Sequence, residues 1–342
     1  MFKTTWLSLL LAIFVLGCSS EESSVIQDDN NNSVTGVDQV NDDQNSDSAD
    51  GKIGYSAMSL KNPFFVIISD SLTEAGAAHG FSVVTTDADS DVNKQANQIE
   101  DFISQGVDAI VINPTDKEAI GPAIKKANQA GIPVFTCDLQ CVAEGIEIAG
   151  HIGTDNFQGG ELAGNAMVEV LGDEGGEVLI LDFKQANSCV LRVDGFKKVI
   201  DAHNESTQTG KITVVSEING GGDQDIGYKA AADSLKAHPN IRGIFAINDP
   251  SALGAWQAVK EADRLDVIQI VGFDGELAGK QAILDGKIYA DPIQFPKQMG
   301  QGIVEKLIAY QAGESYEKTT LIPTALYKKA DAEQDPELQA AE

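Results

Sequence analysis

Polar, charged and aromatic side chains gather at a few points along the chain, each directly after a run of apolar residues. They form the segments Asn62-Pro63-Phe64-Phe65, Asn113-Pro114-Thr115-Asp116, Cys137-Asp138-Leu139-Gln140, Asn248-Asp249 and Phe273-Asp274. Carboxylates accept hydrogen bonds from paired hydroxyls, an arginine donates in a fork, and amides do both. Aromatic faces stack on the apolar C–H faces of a sugar ring. These residue types together favour the binding of a small carbohydrate.

The elements that must position these residues alternate between strand and helix from residue 52 onward. The pattern predicts strands over 52–57, 81–86, 108–113, 133–138, 177–182, 211–218, 241–247, 267–272 and 288–293. It predicts helices over 63–78, 92–105, 117–129, 156–171, 190–203, 225–237, 250–262, 277–285 and 297–313. Repeated βαβ units indicate parallel sheets with helices on both faces, and two such runs indicate two doubly wound, Rossmann-like α/β lobes. Ligands of such sheets bind beyond the carboxyl ends of the strands, where the polar segments lie.

The order and spacing of many short segments resemble the ribose-binding-protein branch of bacterial periplasmic sugar-binding proteins. The resemblance covers about Lys52 to Tyr327. Besides the segments above, it includes Ala127-Asn128-Gln129-Ala130-Gly131-Ile132-Pro133-Val134, Asp155-Asn156, Gly195-Phe196, Ala252-Leu253-Gly254-Ala255, Val271-Gly272-Phe273-Asp274-Gly275 and Asp285-Gly286-Lys287. It implies the periplasmic binding protein type I fold, in which the chain crosses three times between two lobes. The crossings are expected near Thr154-Asp155, Gln294 and Leu321.

The same resemblance implies the domain bounds and the ligand-binding residues. The first lobe would comprise 51–154 and 295–320, the second 155–294 and 321–328, and 329–342 would be a flexible tail. The polar ligand-binding residues would be Asn62, Asp138, Arg192, Asn248, Asp274 and Gln294. Phe64 and Phe65 would stack on the sugar, with Phe273 nearby.

Two departures from the ribose-binding pattern bear on the ligand. Leu139 stands where ribose binders have an arginine, and a glycine-rich run, Asn219 to Asp223, stands where they have a second-lobe phenylalanine. A hydrogen bond to a charged group contributes about 1.5–3 kcal/mol. Leu139 therefore favours a ligand with an apolar face or a missing hydroxyl on that side. Open space at Gly220–Gly222 favours a larger or differently shaped ligand.

Several of these residues also have simpler structural interpretations. Asp138 and Asp274 could cap helices, as aspartate often does. Arg192 could pair with Asp194 or Asp182 at the surface. Adjacent helical residues point about 100° apart, so at most one of the two phenylalanines at 64 and 65 is expected to be deeply buried.

The first fifty residues predict an export signal and a tether. Lys3 precedes an apolar run from Trp6 to Leu16 that is too short to span a bilayer, and Val15-Leu16-Gly17-Cys18 resembles the lipobox of bacterial lipoproteins. Residues 1–18 would then be a lipoprotein signal with Cys18 as the lipid attachment site. Residues 19–50 contain nine acidic residues and no Lys or Arg, which predicts a disordered acidic tether.

Three cysteines would remain in the mature protein, namely Cys137, Cys141 and Cys189. Cys137 and Cys141 could close a small disulfide loop in an oxidising compartment, but free, buried cysteines are the default expectation. No metal site is predicted, because neither cysteine has a partner at zinc-finger spacing.

The charge balance and the motifs exclude several function classes. The chain of 342 residues has 52 Asp and Glu against 24 Lys and Arg, which argues against a nucleic-acid partner. The glycine run at 220–222 has no following Lys-Ser/Thr, so no P-loop is predicted. No Gly-x-Ser-x-Gly or His-Glu-x-x-His is present, and neither an enzyme nor a cofactor is predicted.

We therefore expect a monomeric, lipid-anchored protein of the periplasm or cell envelope that closes two lobes around one monosaccharide or polyol. Its partner would be the permease of an ABC sugar importer, and its only contact with the membrane would be the lipid anchor. The alternative is a sensory module that presents the bound ligand to a chemoreceptor or sensor kinase. The sequence leaves open the identity of the sugar and the choice between inner and outer membrane.

Overall fold

Two six-stranded sheets organise the protein, as seen in a computed structural model that describes residues 51–340. The chain first forms β1 (Gly51–Ala57), α1 (Pro63–Ala78), β2 (Phe81–Asp87), α2 (Val92–Gln105), β3 (Ala109–Ile112), α3 (Gly121–Gln129), β4 (Val134–Cys137) and β5 (Gly150–Thr154). It continues with α4 (Asn156–Leu171), β6 (Gly176–Asp182), α5 (Asn187–Ser206), β7 (Ile212–Asn219), α6 (Gln224–Ala237), β8 (Ile241–Ala246), α7 (Asp249–Glu261), β9 (Gln269–Val271), α8 (Leu277–Leu284) and β10 (Ala290–Ile293). It ends with α9 (Pro296–Ala312), β11 (Thr319–Ile322), β12 (Ala325–Lys328), α10 (Lys329–Ala332) and α11 (Pro336–Gln339).

Each sheet is the centre of one lobe. The first sheet has the strand order β11-β5-β4-β3-β1-β2, and all its pairs are parallel. The second has the order β12-β10-β9-β8-β6-β7, with β12 antiparallel to β10 at one edge. The predicted fold class of two parallel-sheet α/β lobes is confirmed.

Local capping explains why the helices begin at the carboxyl ends of strands. Pro63 occupies the first turn of α1, and the Asn62 side chain accepts a hydrogen bond from the Phe64 N–H. The Asp91 carboxylate accepts from two backbone N–H groups of α2, which ends at Gly106 with a left-handed φ of 64°. Residues that follow strands are therefore held in place by the first turns of the next helices.

The chain crosses between the lobes at three places. The first crossing follows Thr154, the second lies between Ile293 and Pro296, and the third lies between Ile322 and Ala325. The third is displaced from the expected position near Leu321, because β11 stays paired with β5 as far as Ile322. The first lobe therefore extends two residues beyond the expected bound at 320.

The terminal region differs from the flexible tail expected for 329–342. Residues 329–340 contain the short helices α10 and α11, in which Ala332 and Leu338 are buried against the second lobe. Lys280 of α8 forms an ion pair with Asp335 at 3.1 Å. Apolar burial and this ion pair fix a segment whose composition alone indicated mobility. No helix within residues 51–340 is both long enough and apolar enough to cross a membrane.

Glycines on α4 and α5 let these two helices approach closely. A Cβ added at Gly160 would lie 2.1 Å from the backbone oxygen of Arg192, and one at Gly195 would lie 2.1 Å from the backbone oxygen of Phe157. These distances are far below van der Waals contact and involve backbone atoms that cannot rotate away. The close approach sets the position of Arg192 within the second lobe.

We predict that Gly160→Ala lowers the free energy of unfolding by about 1–3 kcal/mol, because the added methyl group forces α4 and α5 apart. Urea unfolding followed by circular dichroism measures the change. Gly302→Ala on α9 is the matched control, since its Cβ would meet only the flexible end of Ile152 at 2.5 Å. The control should stay within about 1 kcal/mol of the wild type. Equal effects of the two variants would contradict the close-packing argument.

Candidate functional site

A cavity of about 840 Å³ lies between the two lobes, at the carboxyl ends of both sheets. Its wall contains eight of the ten residues expected from the sequence: Asn62, Phe64, Phe65, Asp138, Leu139, Arg192, Asn248 and Gln294. The other two, Phe273 and Asp274, lie behind this wall and contact Arg192. The volume accommodates a small molecule, and both lobes contribute polar groups to it.

Arg192 is the centre of the second-lobe part of the site. Its Nε donates to Asn156 Oδ1 at 2.7 Å, and its Nη1 donates to the Ile247 backbone oxygen at 2.6 Å and to Asp274 Oδ1 at 2.8 Å. The residue is only 4% exposed. The surface pairing with Asp194 or Asp182 is therefore wrong, and the guanidinium group is held rigidly at the cavity wall.

Phe273 supports Arg192 from behind and does not form a wall of the cavity. The guanidinium carbon of Arg192 lies 3.8 Å from the centre of the Phe273 ring, which is fully buried. A cation over an aromatic face is stabilised further when both are shielded from water. Gly159 makes room for this ring, because a Cβ there would lie 2.5 Å from it. Phe273, which the resemblance places near the stacking phenylalanines, therefore supports Arg192 instead of lining the cavity.

Asp274 and Gln294 connect Arg192 to the crossing segments. Gln294 donates from Nε2 to Asp274 Oδ1 and accepts from the Thr154 hydroxyl through Oε1. Asp274 has a φ of 105°, a backbone conformation that is costly for a residue with a Cβ. Such strain persists only where surrounding contacts impose it, and here the bonds to Arg192 and Gln294 do so.

Asp138 is the principal hydrogen-bond acceptor that the first lobe presents to the cavity. Its φ of 58° is left-handed, and its N–H donates to the Ile152 backbone oxygen at 2.7 Å, so the backbone is fixed. Its Oδ1 is buried and has no hydrogen-bond partner within residues 51–340. Burial raises the pKa of this carboxyl to about 7, although the charge of Arg192 opposes the shift. Asp138 is therefore an acceptor that requires a donor, and it does not act as a helix cap.

A buried polar network, not predicted from the sequence, supports the loop that follows β3. Asn113 donates to the Cys137 backbone oxygen and accepts from the Tyr55 hydroxyl. Gln95 of α2 donates to the Asn113 backbone oxygen at 2.9 Å and accepts from the Thr115 N–H at 2.9 Å. The network holds the end of β3 beside the end of β4, which carries Asp138.

Asn62 and Asn248 combine a capping role with a place on the cavity wall. The Asn62 Oδ1 accepts from the Phe64 N–H at 2.8 Å. The Asn248 Oδ1 accepts from the Ser251 N–H at 3.1 Å, while its Nδ2 donates to the Gly222 oxygen at 3.0 Å. Each side-chain amide keeps N–H capacity for a ligand, because an amide nitrogen carries two hydrogens.

Phe64 and Phe65 are both buried, which corrects the expectation that at most one would be. Their exposed fractions are 4% and 7%, and their rings meet edge to face with centroids 5.5 Å apart. The lobes touch across the cleft, where the Lys117 N–H donates to the Gln185 oxygen at 3.1 Å. The arrangement is closed, so the second lobe covers the ring face that an open cleft would expose.

The two departures from the ribose-binding pattern both lie on the cavity wall. Leu139 is buried and presents an aliphatic surface, so this part of the wall has no hydrogen-bonding side chain. At Gly222 an added Cβ would meet only the Asn248 Nδ2 at 3.5 Å. Only Gly222 of the run leaves space on the wall, because a Cβ at Gly220 would lie 2.9 Å from Leu181 and one at Gly221 would lie 2.7 Å from Ile226.

Glu276 is a cavity residue that the sequence reasoning missed. It precedes α8, and its Oε1 is buried without a hydrogen-bond partner among the described residues. Burial raises the pKa of its carboxyl to about 8, and the charge of Asp274 adds to the shift. Its position five residues after the end of the strand β9 at Val271 could have identified it. Asp89, which forms an ion pair with Lys61 at 2.6 Å near the cavity, was missed in the same way.

The three cysteines within the described residues are free. Cys137 and Cys189 are buried and Cys141 is partly buried, so the possible Cys137–Cys141 disulfide is not formed. Burial raises the pKa of the Cys189 thiol to about 12, which keeps it protonated and unreactive. Residues 51–340 bring together no group of three His, Cys, Asp or Glu side chains that could hold a metal ion.

Comparisons with known proteins agree with this geometry. A family described as periplasmic binding protein domain matches residues 53–315. The ribose import binding protein of Escherichia coli (strain K12) is 36% identical over 256 residues, which is 75% of this chain and 83% of that protein. The D-apiose import binding protein of Paraburkholderia graminis is 33% identical over 273 residues, 79% of this chain and 85% of that protein.

A solved structure has the same architecture. An ABC transporter solute-binding protein from Mycobacterium smegmatis, with bound glycerol, is 32% identical and superimposes with a TM-score of 0.75. The match covers 83% of this chain and 96% of that chain.

A pair of buried carboxyl groups, Asp249 and Asp291, lies beneath the start of α8. Asp249 Oδ2 accepts from the Glu276 N–H at 2.7 Å. Neither Asp249 Oδ1 nor either Asp291 carboxyl oxygen accepts from another donor within residues 51–340. Burial raises the pKa of Asp249 well above its ordinary value and that of Asp291 to about 6. Each carboxyl opposes the ionisation of the other, so the pair holds one proton near neutral pH.

We predict that Asp291→Asn makes the protein less sensitive to pH. A carboxyl whose folded pKa is raised stabilises the fold below its ordinary pKa, and this stability is lost as pH rises through the folded pKa. The wild type should therefore lose stability between about pH 4 and 6 from Asp291, and the variant should lose up to about 2 kcal/mol less. Urea titrations at pH 4.5 and 7 measure the difference. Asp233→Asn, at an exposed site of the same lobe, is the control, and identical pH slopes for both variants would contradict the shared proton.

Proposed function

The chain belongs to the periplasmic binding protein family, and on that premise we propose that it is the extracytoplasmic binding component of an ABC sugar importer. The family consists of substrate-binding transport proteins, not enzymes. The observation that carries the proposal is the cavity between the lobes, with the fixed Arg192 on one side and the unpartnered Asp138 on the other. Closure of the lobes would enclose one monosaccharide or polyol.

The energetics of a small polar ligand favour a site of this kind. A Kd of about 1 μM corresponds to about −8.2 kcal/mol, and about ten heavy atoms would each have to contribute roughly 0.8 kcal/mol. Such a contribution requires nearly complete burial of the ligand and a partner for each hydroxyl. A cavity enclosed by two lobes and lined by carboxyl groups, a guanidinium and several amides offers both burial and hydrogen-bonding partners.

The shape of the cavity favours a ligand that differs from ribose. Leu139 removes a polar contact on the first-lobe side, and the space beside Gly222 admits a larger or differently placed ring substituent. The related proteins named for ribose and for D-apiose import indicate that family members differ in the sugar they take. We therefore propose a monosaccharide or polyol other than ribose.

The protein would act as a monomer with the importer permease as its partner. The permease would recognise the two lobes in the closed arrangement, whose relative position the ligand sets.

We predict that Asp138→Asn weakens binding of the cognate sugar at least tenfold, because the amide replaces a charged acceptor of ligand hydroxyls. A thermal-shift screen of the wild type against pentoses, hexoses, deoxy sugars and polyols identifies the ligand, and calorimetry measures its affinity. The Asp138→Asn variant should retain its fold in the absence of ligand, because the buried carboxylate that it removes has an unpartnered oxygen and does not stabilise the fold.

The control for this experiment is Asp101→Asn, on the exposed face of α2 in the same lobe. It should bind within twofold of the wild type. Absence of any stabilising sugar or polyol would contradict the proposed function, whereas unchanged affinity of Asp138→Asn would contradict only the role given to this residue.

We also propose that the protein is anchored to a membrane by a lipid on Cys18. The support is the short apolar run followed by Leu16-Gly17-Cys18 and by the acidic segment 19–50. These residues lie outside the part of the chain that the structure describes. A tether of this length would span roughly 30 Å and would leave the lobes free to close beside the permease.

Cys18→Ser is expected to release the protein from membranes, because the hydroxyl cannot form the thioether bond. Fractionation of cells that express the full chain, followed by detection in the membrane and soluble fractions, tests this. Cys141→Ser is the matched control and should leave the protein in the membrane fraction. Membrane retention of the Cys18→Ser variant would rule out the lipid anchor.

A further inference from the structure

Glu276 lies in a turn of the second lobe that faces the start of α1 across the cavity. Its N–H is bound to Asp249 Oδ2 at 2.7 Å, which fixes the backbone at the start of α8. Its side chain makes no capping hydrogen bond to α8, although it holds the capping position. The carboxylate is therefore directed to the cavity and is not used within its own helix.

Two carboxylate oxygens on this cavity are buried without partners, one from each lobe. They are Asp138 Oδ1 of the first lobe and Glu276 Oε1 of the second. A buried acceptor without a donor costs about 1–3 kcal/mol, and more when it is charged. Two such acceptors on one cavity indicate that a molecule with hydrogen-bond donors completes them.

A hydrogen bond between Glu276 and the start of α1 explains the unpartnered Glu276 Oε1 less well than a bound ligand does. The Asn62 side chain and the Phe64 N–H both lie close enough to Glu276 to favour its ionised form. However, the Phe64 N–H is already bound to Asn62 Oδ1 at 2.8 Å, so the helix end has little left to offer. The Glu276 Oε1 stays without a partner even though the lobes are in contact.

The donors already in the site do not match these acceptors. Arg192 directs Nε and Nη1 to Asn156, Ile247 and Asp274. Lys61 is exposed and pairs with Asp89. The cavity therefore has surplus acceptors, and a ligand that carried its own carboxylate or phosphate would add to the surplus.

We propose that Glu276 is a ligand-binding residue whose Oε1 accepts a hydrogen bond from a ring hydroxyl, so that Glu276 and Asp138 together select neutral polyhydroxylated ligands over anionic sugars. The inference rests on the proposed function and names the ligand class of that site. The two acceptors come from different lobes, so a ligand that satisfies both also holds the lobes together.

The test compares the wild type, Glu276→Gln and Glu205→Gln, the last being a matched control on the exposed end of α5. Calorimetry with D-allose, D-ribose, D-fucose and myo-inositol gives the affinity of each protein for each probe. Glu276→Gln should weaken every probe that binds by about 10- to 100-fold, and Glu205→Gln should change the affinity less than twofold. Unfolding of the three proteins without ligand shows whether Glu276→Gln disturbs the fold.

Affinity of Glu276→Gln within twofold of the wild type, for a probe that binds, would overturn the inference while leaving the proposed function intact. Failure of all four probes to bind would contradict the proposed function and the inference with it. In a second measurement D-glucuronate and D-galacturonate should give no thermal stabilisation of the wild type. Stabilisation by either that equals or exceeds that of the neutral probes would overturn the predicted charge selection.

Discussion

The hydrogen bonds of a guanidinium group buried at the cavity wall are the interactions on which the second lobe depends. Arg192 meets Asn156, Ile247 and Asp274 through hydrogen bonds of 2.6–2.8 Å and lies on the ring of Phe273. Removing one partner of a buried charge costs several kcal/mol, since the remaining charge has no water to replace it. The surrounding sequence accommodates this group. Gly160 of α4 leaves room for the Arg192 backbone, and Gly159 leaves room for the Phe273 ring. The strained backbone of Asp274 brings its carboxylate to the guanidinium group.

The two lobes contribute to the site in different ways. In the second lobe the polar groups bind one another, so that Arg192, Asp274 and Gln294 are oriented before any ligand arrives. In the first lobe Asp138 has a fixed backbone and an acceptor that nothing in the described chain satisfies. A surface whose polar groups are paired except at Glu276 Oε1 therefore faces one in which Asp138 Oδ1 is unpaired, and a ligand that supplies donors would complete the hydrogen bonding of both.

The sequence predicted the architecture well because its signals are local. The βαβ alternation, the caps and the apolar runs predicted the bounds of α1 and α2. They also predicted the existence of all but three of the strands. β5, β11 and β12 escaped, because they are four or five residues long and are defined by pairing with distant strands. Strand-end residues and the family resemblance together placed eight of the ten proposed side chains on one cavity. The roles of Phe273 and Glu276 could not be predicted, because they depend on contacts made in three dimensions, as with Arg192 and Asp274, which are 82 residues apart.

The position of Gln294 has a mechanical consequence. This residue begins the second of three crossing segments and is bonded to Thr154, which directly precedes the first. Three crossings side by side define the axis about which the lobes rotate, and a group on an axis moves through the shortest arc. Gln294 therefore lies where a rotation about the crossings would disturb its bonds to Thr154 and Asp274 least. One side chain belongs both to the crossings and to the cavity wall, so such a rotation would not require the polar network to be rebuilt.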